Sequence, residues 1–272
     1  MAIKNLLVAF NGNEASESAL HVAARMQKKY GAHVTGLLAH EGRRDRFAAR
    51  SWVPDNVRGI LQKSIAAEEA EVEARFRKIV ADAPQDRVHW ISLAGKPDGT
   101  VAQYACMYDL TIVGTPLAND RSEDALHPER IALKSGRPVL IVPSTVDPDS
   151  MNRPTVLAWD GQRAAARAMN DAMLILETKQ QVDVLSIGDI RPSLQGIDVI
   201  EALERHGITC QRVRRDGSVH RAGRDILTYC KEIDAGLLVM GAFEHSVFRE
   251  ELLGGTTSTV LRHMTLPVLM SH

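Results

Sequence analysis

At 272 residues the chain is long enough for one large domain or for two of ordinary size, each able to bury its own core. Its 33 lysines and arginines nearly cancel its 34 acidic residues, which argues against nucleic acid or an anionic membrane as partner and leaves a small ligand or a globular protein. The three cysteines, Cys106, Cys210 and Cys230, fit neither a disulfide framework nor a metal-ligand spacing, so a reducing compartment is expected.

The first apolar run, Leu6 to Phe10, is too short for a signal sequence or a membrane span, and a cytoplasmic protein is expected. It closes on Asn11-Gly12. Ala19, Val22, Ala23 and Met26 then fall at i, i+3, i+4 and i+7, the apolar stripe of a helix. Arg43, Arg44, Arg46, Arg50 and Arg58 surround Trp52 and Pro54, but Asp45 and Asp55 dilute the charge and no aromatic ladder accompanies it, so this reads as a solvated loop. A long helix is predicted over residues 57–81, with Ile65, Val72, Phe76, Ile79 and Val80 on one side. Glu71 with Arg75 and Glu73 with Arg77 form i,i+4 pairs on its solvated face. Val101, Tyr104, Ala105 and Tyr108 give another helical stripe before the apolar run Leu110 to Gly114. Ser135-Gly136 reads as a helix end with its glycine stop, and Pro138 to Val142 as a last strand.

Pro143 to Pro154 contains Asp147-Pro148-Asp149 and no apolar periodicity, which marks a linker between domains at 1–146 and 154–272. The second half then repeats the first. Val156 to Ala158 leads through Trp159 to Asp160-Gly161, and Ala165, Ala168, Met169 and Ala172 form the helix stripe. Arg212 and Arg214 alternate along a strand-like run that suits a sheet edge. Ile226, Tyr229, Cys230 and Ile233 precede Leu237 to Gly241, and Pro267 to Met270 closes the copy. Cys230 sits on that stripe as a core residue. Apolar strands alternating with helices imply an α/β fold: two similar doubly wound parallel-sheet domains in tandem. Ligands in such sheets sit beyond the carboxyl ends of the strands, where the strand order reverses.

The richest motif lies between Gly241 and Ser258. A buried strand that exits at a glycine, then returns to a helix through Gly254-Gly255-Thr256-Thr257-Ser258, presents backbone N–H groups to an anion. The segment resembles the nucleotide-binding loop of the universal stress protein family, written as Gly, two residues, Gly, nine residues, Gly and a small or hydroxyl residue. Gly241 matches the first glycine and Gly254 the third, whereas Glu244 replaces the second and Gly255 stands at the hydroxyl position. Alternatively the loop is one residue longer and Gly255-Thr256 is the matching pair.

The resemblance covers almost the whole chain as two copies and is to tandem members of that family, on an adenine-nucleotide alpha-hydrolase-like fold. It implies ATP as ligand, with magnesium as an accompanying option. Carried over by position, Asp160 resembles the acid that meets the ribose, and Ala158 and Ile187 would lie beside the base. Met240 and Gly241 would flank the sugar and first phosphate, with Gly254, Gly255, Thr256 and Thr257 as phosphate donors. Glu244 would either repel the phosphates, turn outward, or share a divalent ion with them. His245 beside it is a hydrogen-bonding or ordinary loop residue rather than a catalyst, since spacing assigns it no partner acid or nucleophile.

The first half is a poorer copy. Asn11 replaces the acid, Pro116 after Gly114-Thr115 removes an N–H, Ala125-Leu126 stands for the glycine pair, and Asp120, Glu123 and Asp124 would repel phosphate. No nucleotide of the family's kind is expected there. The resemblance implies an ATP-binding regulatory protein of the stress response without strong catalysis. The alternatives are an assembly module with vestigial sites and a weak ATP-hydrolysing enzyme. The two closing strands look like the edges through which the family's domains pair, so an intramolecular pseudo-dimer is expected, and whole chains could pair again as a homodimer.

Overall fold

The computed structural model describes residues 3–40, 55–115, 126–179, 181–188, 198–218, 220–242 and 255–272. The first half runs β1 (Asn5–Ala9), α1 (Glu14–Tyr30), β2 (His33–His40), α2 (Asp55–Ile79), β3 (Val88–Ala94), α3 (Pro97–Ala105), β4 (Leu110–Gly114), α4 (Pro128–Ser135) and β5 (Val139–Val142). The second runs β6 (Thr155–Ala158), α5 (Arg163–Leu176), β7 (Val182–Ile187), α6 (Val199–Arg205), β8 (Cys210–Arg215), α7 (Ala222–Glu232), β9 (Leu237–Gly241), α8 (Thr256–His263) and β10 (Val268–Ser271).

Local chemistry sets these boundaries. The Asn13 side chain caps α1 by accepting the Ser16 N–H at 2.8 Å, and Gly31 ends the helix at φ 61°, a left-handed turn that glycine adopts without strain. Gly136 ends α4 in the same way at φ 59°, as its Ser-Gly signature predicts. The long helix spans Asp55–Ile79 rather than 57–81, and both i,i+4 ion pairs on it form at 2.7 Å.

The strands make one ten-stranded sheet in the order β3-β2-β1-β4-β5-β10-β9-β6-β7-β8. Within each half the pairs are parallel, and the order is the same when read outward from the middle. The halves meet where β5 and β10 pair antiparallel, with Leu140 opposite Leu269. The two closing strands are therefore joined within one chain. Arg212 and Arg214 lie on β8, an outer strand of the sheet, with Arg212 paired to Asp198.

Side chains that alternate along the strands feed two cores, one on each face. One holds Leu6, Val8 and Phe10 with Val22 of α1, Phe76 of α2, Ala172 of α5 and Leu203 of α6. The other holds Leu7 and Ala9 with Val101 of α3, Ile131 of α4, Tyr229 of α7 and Val260 of α8. Each core runs through both halves. A Cβ on Gly36 would lie 2.6 Å from Phe76 and 2.7 Å from Trp90, so that glycine is what lets these rings pack onto β2. Asp183, fully buried on β7, accepts hydrogen bonds from Gln181, Gln211 and Tyr229, which satisfies a carboxylate that burial would otherwise make costly.

The pairing of β5 with β10 yields a direct test. Leu269→Ala removes a fully buried side chain at the junction and is expected to cost about 2–5 kcal/mol in urea denaturation. Because both cores cross the junction, the protein is expected to unfold in a single transition, and two separated transitions would show that the halves unfold independently.

Candidate functional site

The strand order reverses at β6 in the second half and at β1 in the first. From β6 the chain moves outward to β7 and β8, then returns to β9 on the other side of β6. The helices that follow β6 and β9, α5 and α8, therefore pack on opposite faces of the sheet, and in such sheets ligands sit at the carboxyl ends of the two strands where this happens.

Asp160 and Gly161 follow β6 at this point. Asp160 is exposed, and its Oδ1 accepts the Gln162 N–H at 2.9 Å, while Gly161 has φ 75°. After β1, Asn11 Oδ1 accepts the Asn13 N–H at 3.2 Å and Gly12 has φ 78°. The two turns share one geometry, and the difference is chemical: a carboxylate in the second half, an amide in the first.

Gly241 ends β9 beside β6. A Cβ there would lie 2.5 Å from the Ala164 carbonyl carbon and 2.6 Å from the Ala165 nitrogen, both in the first turn of α5. Gly114, at the end of β4, has the same relation to Ala15 of α1, at 2.4 Å. In both halves, then, the glycine lets the strand end touch the first turn of the helix that follows the neighbouring strand, β6 or β1. Close packing alone accounts for its lack of a side chain.

Ala158, Ile187 and Met240 fall in one apolar cluster, on the face covered by α7 and α8. Met240 is buried, whereas Ala158 and Ile187 are partly exposed at the strand ends. Two glycines not anticipated from the motif shape this side. A Cβ on Gly217 would lie 2.6 Å from Ile187 Cγ2 and 2.9 Å from Asp225 Oδ2, and one on Gly223 would lie 2.9 Å from the Thr256 carbonyl oxygen. Gly223 thereby brings the starts of α7 and α8 together at the carboxyl edge of the sheet. The sequence signal for both was a glycine just before or within the first turn of a helix, which carries little information without the partner surface.

The starts of α8 and α4 differ in a way that bears on anions. Gly255 precedes α8 with extended backbone and brings no side chain to cap the helix, and among the described residues a Cβ on Gly255 would meet nothing within 4 Å. Thr256 is half-buried, and Thr257 and Ser258 are buried in the first turn. At α4, by contrast, Asp98 accepts the His127 backbone N–H at 2.8 Å and contacts His127 Nδ1 at 3.0 Å, and Pro128 at the first helical position has no N–H. A carboxylate already occupies the positive end of that helix dipole.

Glu244, His245 and Gly254 lie outside the described residues, as do Arg43, Arg44, Arg46, Arg50, Pro116, Asp120, Glu123, Asp124 and Ala125. The site thus rests on Ala158, Asp160, Ile187, Met240, Gly241, Gly255, Thr256 and Thr257. Burial pushes the Cys230 thiol up to about 12, and burial is also the first cause raising Cys210, so neither is an activated nucleophile. Among the described residues no helix is long and apolar enough to cross a membrane, and no group of three or more His, Cys, Asp or Glu side chains is placed to hold a metal ion.

Residues 151–272 match the model of the universal stress protein family. The second half is therefore similar to the universal stress protein family. The likeness in fold covers both halves. A universal stress protein from Archaeoglobus fulgidus DSM 4304 superposes with a TM-score of 0.75 at 18% identity, covering 98% of this chain and 95% of its own. A putative universal stress protein from Pseudomonas aeruginosa UCBPP-PA14 gives 0.59 at 18% identity, over 99% and 93% of the two chains. A functionally unknown protein from Pseudomonas aeruginosa PAO1 gives the same TM-score of 0.59. The shared fold therefore spans the full tandem chain. No curated protein matches the sequence.

The strand-end glycines supply the stability test for this site. Gly241→Ala drives a methyl into the α5 backbone and is expected to destabilise by about 1–3 kcal/mol in chemical denaturation. A change within 0.5 kcal/mol would show that α5 yields freely at this contact.

Proposed function

We propose that the second half binds an adenine nucleotide, ATP in the first instance, and that the protein acts in the stress response as a nucleotide-dependent regulator rather than as a strong catalyst. The observation that carries this reading is the contrast between the starts of α8 and α4. Gly255 brings no side chain to the first turn of α8, whereas the Asp98 carboxylate occupies the start of α4.

In this reading the Asp160 carboxylate accepts hydrogen bonds from the ribose hydroxyls, and Ala158 and Ile187 offer apolar contact to the base. Backbone N–H groups at Gly255 and Thr256, with the Thr256 and Thr257 hydroxyls, meet the phosphates at the positive end of α8. Gly254 belongs to the same turn by its sequence position, and Met240 and Gly241 form the floor. Glu244 and His245 are the neighbouring loop groups, and Glu244 sets whether Mg²⁺ accompanies the nucleotide. The first half, with Asn11 in place of the acid and Asp98 at the start of α4, serves as structural partner and holds no nucleotide in this manner. Domain limits of 1–146 and 154–272 accompany the proposal.

Calorimetric titration with ATP and Mg²⁺ tests it. Wild type is expected to bind, and Gly255→Asp to weaken binding roughly ten- to a hundredfold, because a carboxylate near phosphate costs about 1–3 kcal/mol in a partly screened site. Among the described residues nothing lies within 4 Å of a Cβ at Gly255, and an unchanged melting temperature in Gly255→Asp would assign the loss to charge rather than misfolding. Unchanged affinity would place the phosphates elsewhere. Glu244→Gly is expected to tighten ATP binding when magnesium is omitted, and a loss of binding in that variant would show that Glu244 contributes to holding the nucleotide.

A further inference from the structure

A cavity of about 280 Å³ lies where the halves meet, well away from the proposed nucleotide site. It is walled by the C-terminal half of α1, by the segment joining the halves, and by the end of α5 with the residues just beyond it. In the second half it sits at the far end of α5 from Asp160 and Gly161. That helix has 14 residues, which puts the two sites roughly 20 Å apart along its axis.

The charge lining this cavity is one-sided. Arg25, Lys28, Lys29 and Lys179 contribute cations, and Asp149 is the sole carboxylate. Asp149 is already engaged with Arg25 at 2.9 Å. Lys29 donates to Thr178 Oγ1 at 2.9 Å, Lys179 donates to the Met151 carbonyl, and neither lysine is paired with a carboxylate among the described residues. Burial, reinforced by the charge of Lys29, holds the Lys179 ammonium down to about 8. Val22, Met26, Met151 and Ile175 supply an apolar wall opposite these groups. Two under-neutralised ammonium groups beside an apolar surface suit a small ligand with a doubly negative head and an apolar body.

We propose that this cavity between the halves binds a small phosphomonoester, with Lys29 and Lys179 meeting the phosphate and the apolar wall meeting the rest of the molecule. Because the cavity is lined by α1, by α5 and by the segment connecting the halves, such a ligand would touch both halves at once. This site is independent of the nucleotide reading and stands whether or not ATP binds.

The pH dependence follows from the groups facing the phosphate: Arg25, Lys28, Lys29, Lys179, Tyr30 and Asp149. Between pH 7 and pH 9 the ligand is already a dianion, since a phosphate monoester loses its second proton near pH 6. Lys179, held down to about 8, passes from mostly protonated to mostly neutral in this interval, and burial lowers Lys29 in the same direction. Affinity is therefore present below pH 8 and is expected to fall about tenfold from pH 7 to pH 9.

Titration of the full-length protein with phenyl phosphate, followed by calorimetry and by ³¹P line broadening, tests the site. Saturable binding at pH 7 is expected, weakened at least tenfold in Lys29→Met/Lys179→Met and unchanged in Gly255→Asp. Lys29 is exposed, so Lys29→Met alone gives a folded variant and is expected to show a smaller loss in the same direction. The proposal is overturned by absent binding, by unchanged affinity in the double variant, by a flat pH profile, or by loss of binding in Gly255→Asp, which would assign the phosphate to the nucleotide site.

Discussion

Val139–Val142 and Val268–Ser271 are buried along their whole lengths, and each is the last strand of its own parallel set. Left unpaired, either would expose a row of backbone N–H and C=O groups flanked by apolar side chains, the arrangement that invites aggregation. Their antiparallel pairing removes both edges at once and fuses two sets of five strands into a single sheet. The rest of the molecule follows from this junction. It lets each core continue from one half to the other, it reverses the strand sense between the halves, and it brings α1, α5 and the connecting segment together around the lysine-lined cavity.

The connecting segment is held more firmly than its composition suggests. Ser18 donates to the Pro143 carbonyl, Arg25 pairs with Asp149, and a Cβ on Gly236 would approach the Ser150 carbonyl oxygen to 1.8 Å. A stretch rich in proline and aspartate reads as a spacer because it has no apolar period. Here it is a strap whose backbone packs against both halves. This is consistent with halves that are fixed relative to one another by the sheet, the strap and the shared cores together.

Duplication preserved backbone geometry more faithfully than chemistry. The turns after β1 and β6 share an acceptor two residues before the N–H it binds, followed by a left-handed glycine, and the glycines ending β4 and β9 both admit a helix backbone. These features serve packing, so both halves keep them. What differs is Asn11 against Asp160, and Asp98 at the start of α4 against Gly255 at the start of α8. Charge at a helix start is free to diverge because it costs the fold little.

The α/β class, the two copies and the closing strands were legible in sequence because hydrophobic periodicity and turn residues are local signals. So was the place of Asp160 and Gly161 in the turn after β6, since an apolar run closing on an acid and a glycine is also a local signal. Tertiary structure alone decided three things. Gly241 turned out to be required by the approach of α5, Asp98 reached the start of α4 from another helix, and Lys29 and Lys179 came to line one cavity from the two halves. Each brings together residues distant in the chain, and no period or spacing in the sequence encodes which surfaces will be pressed together when the sheet closes.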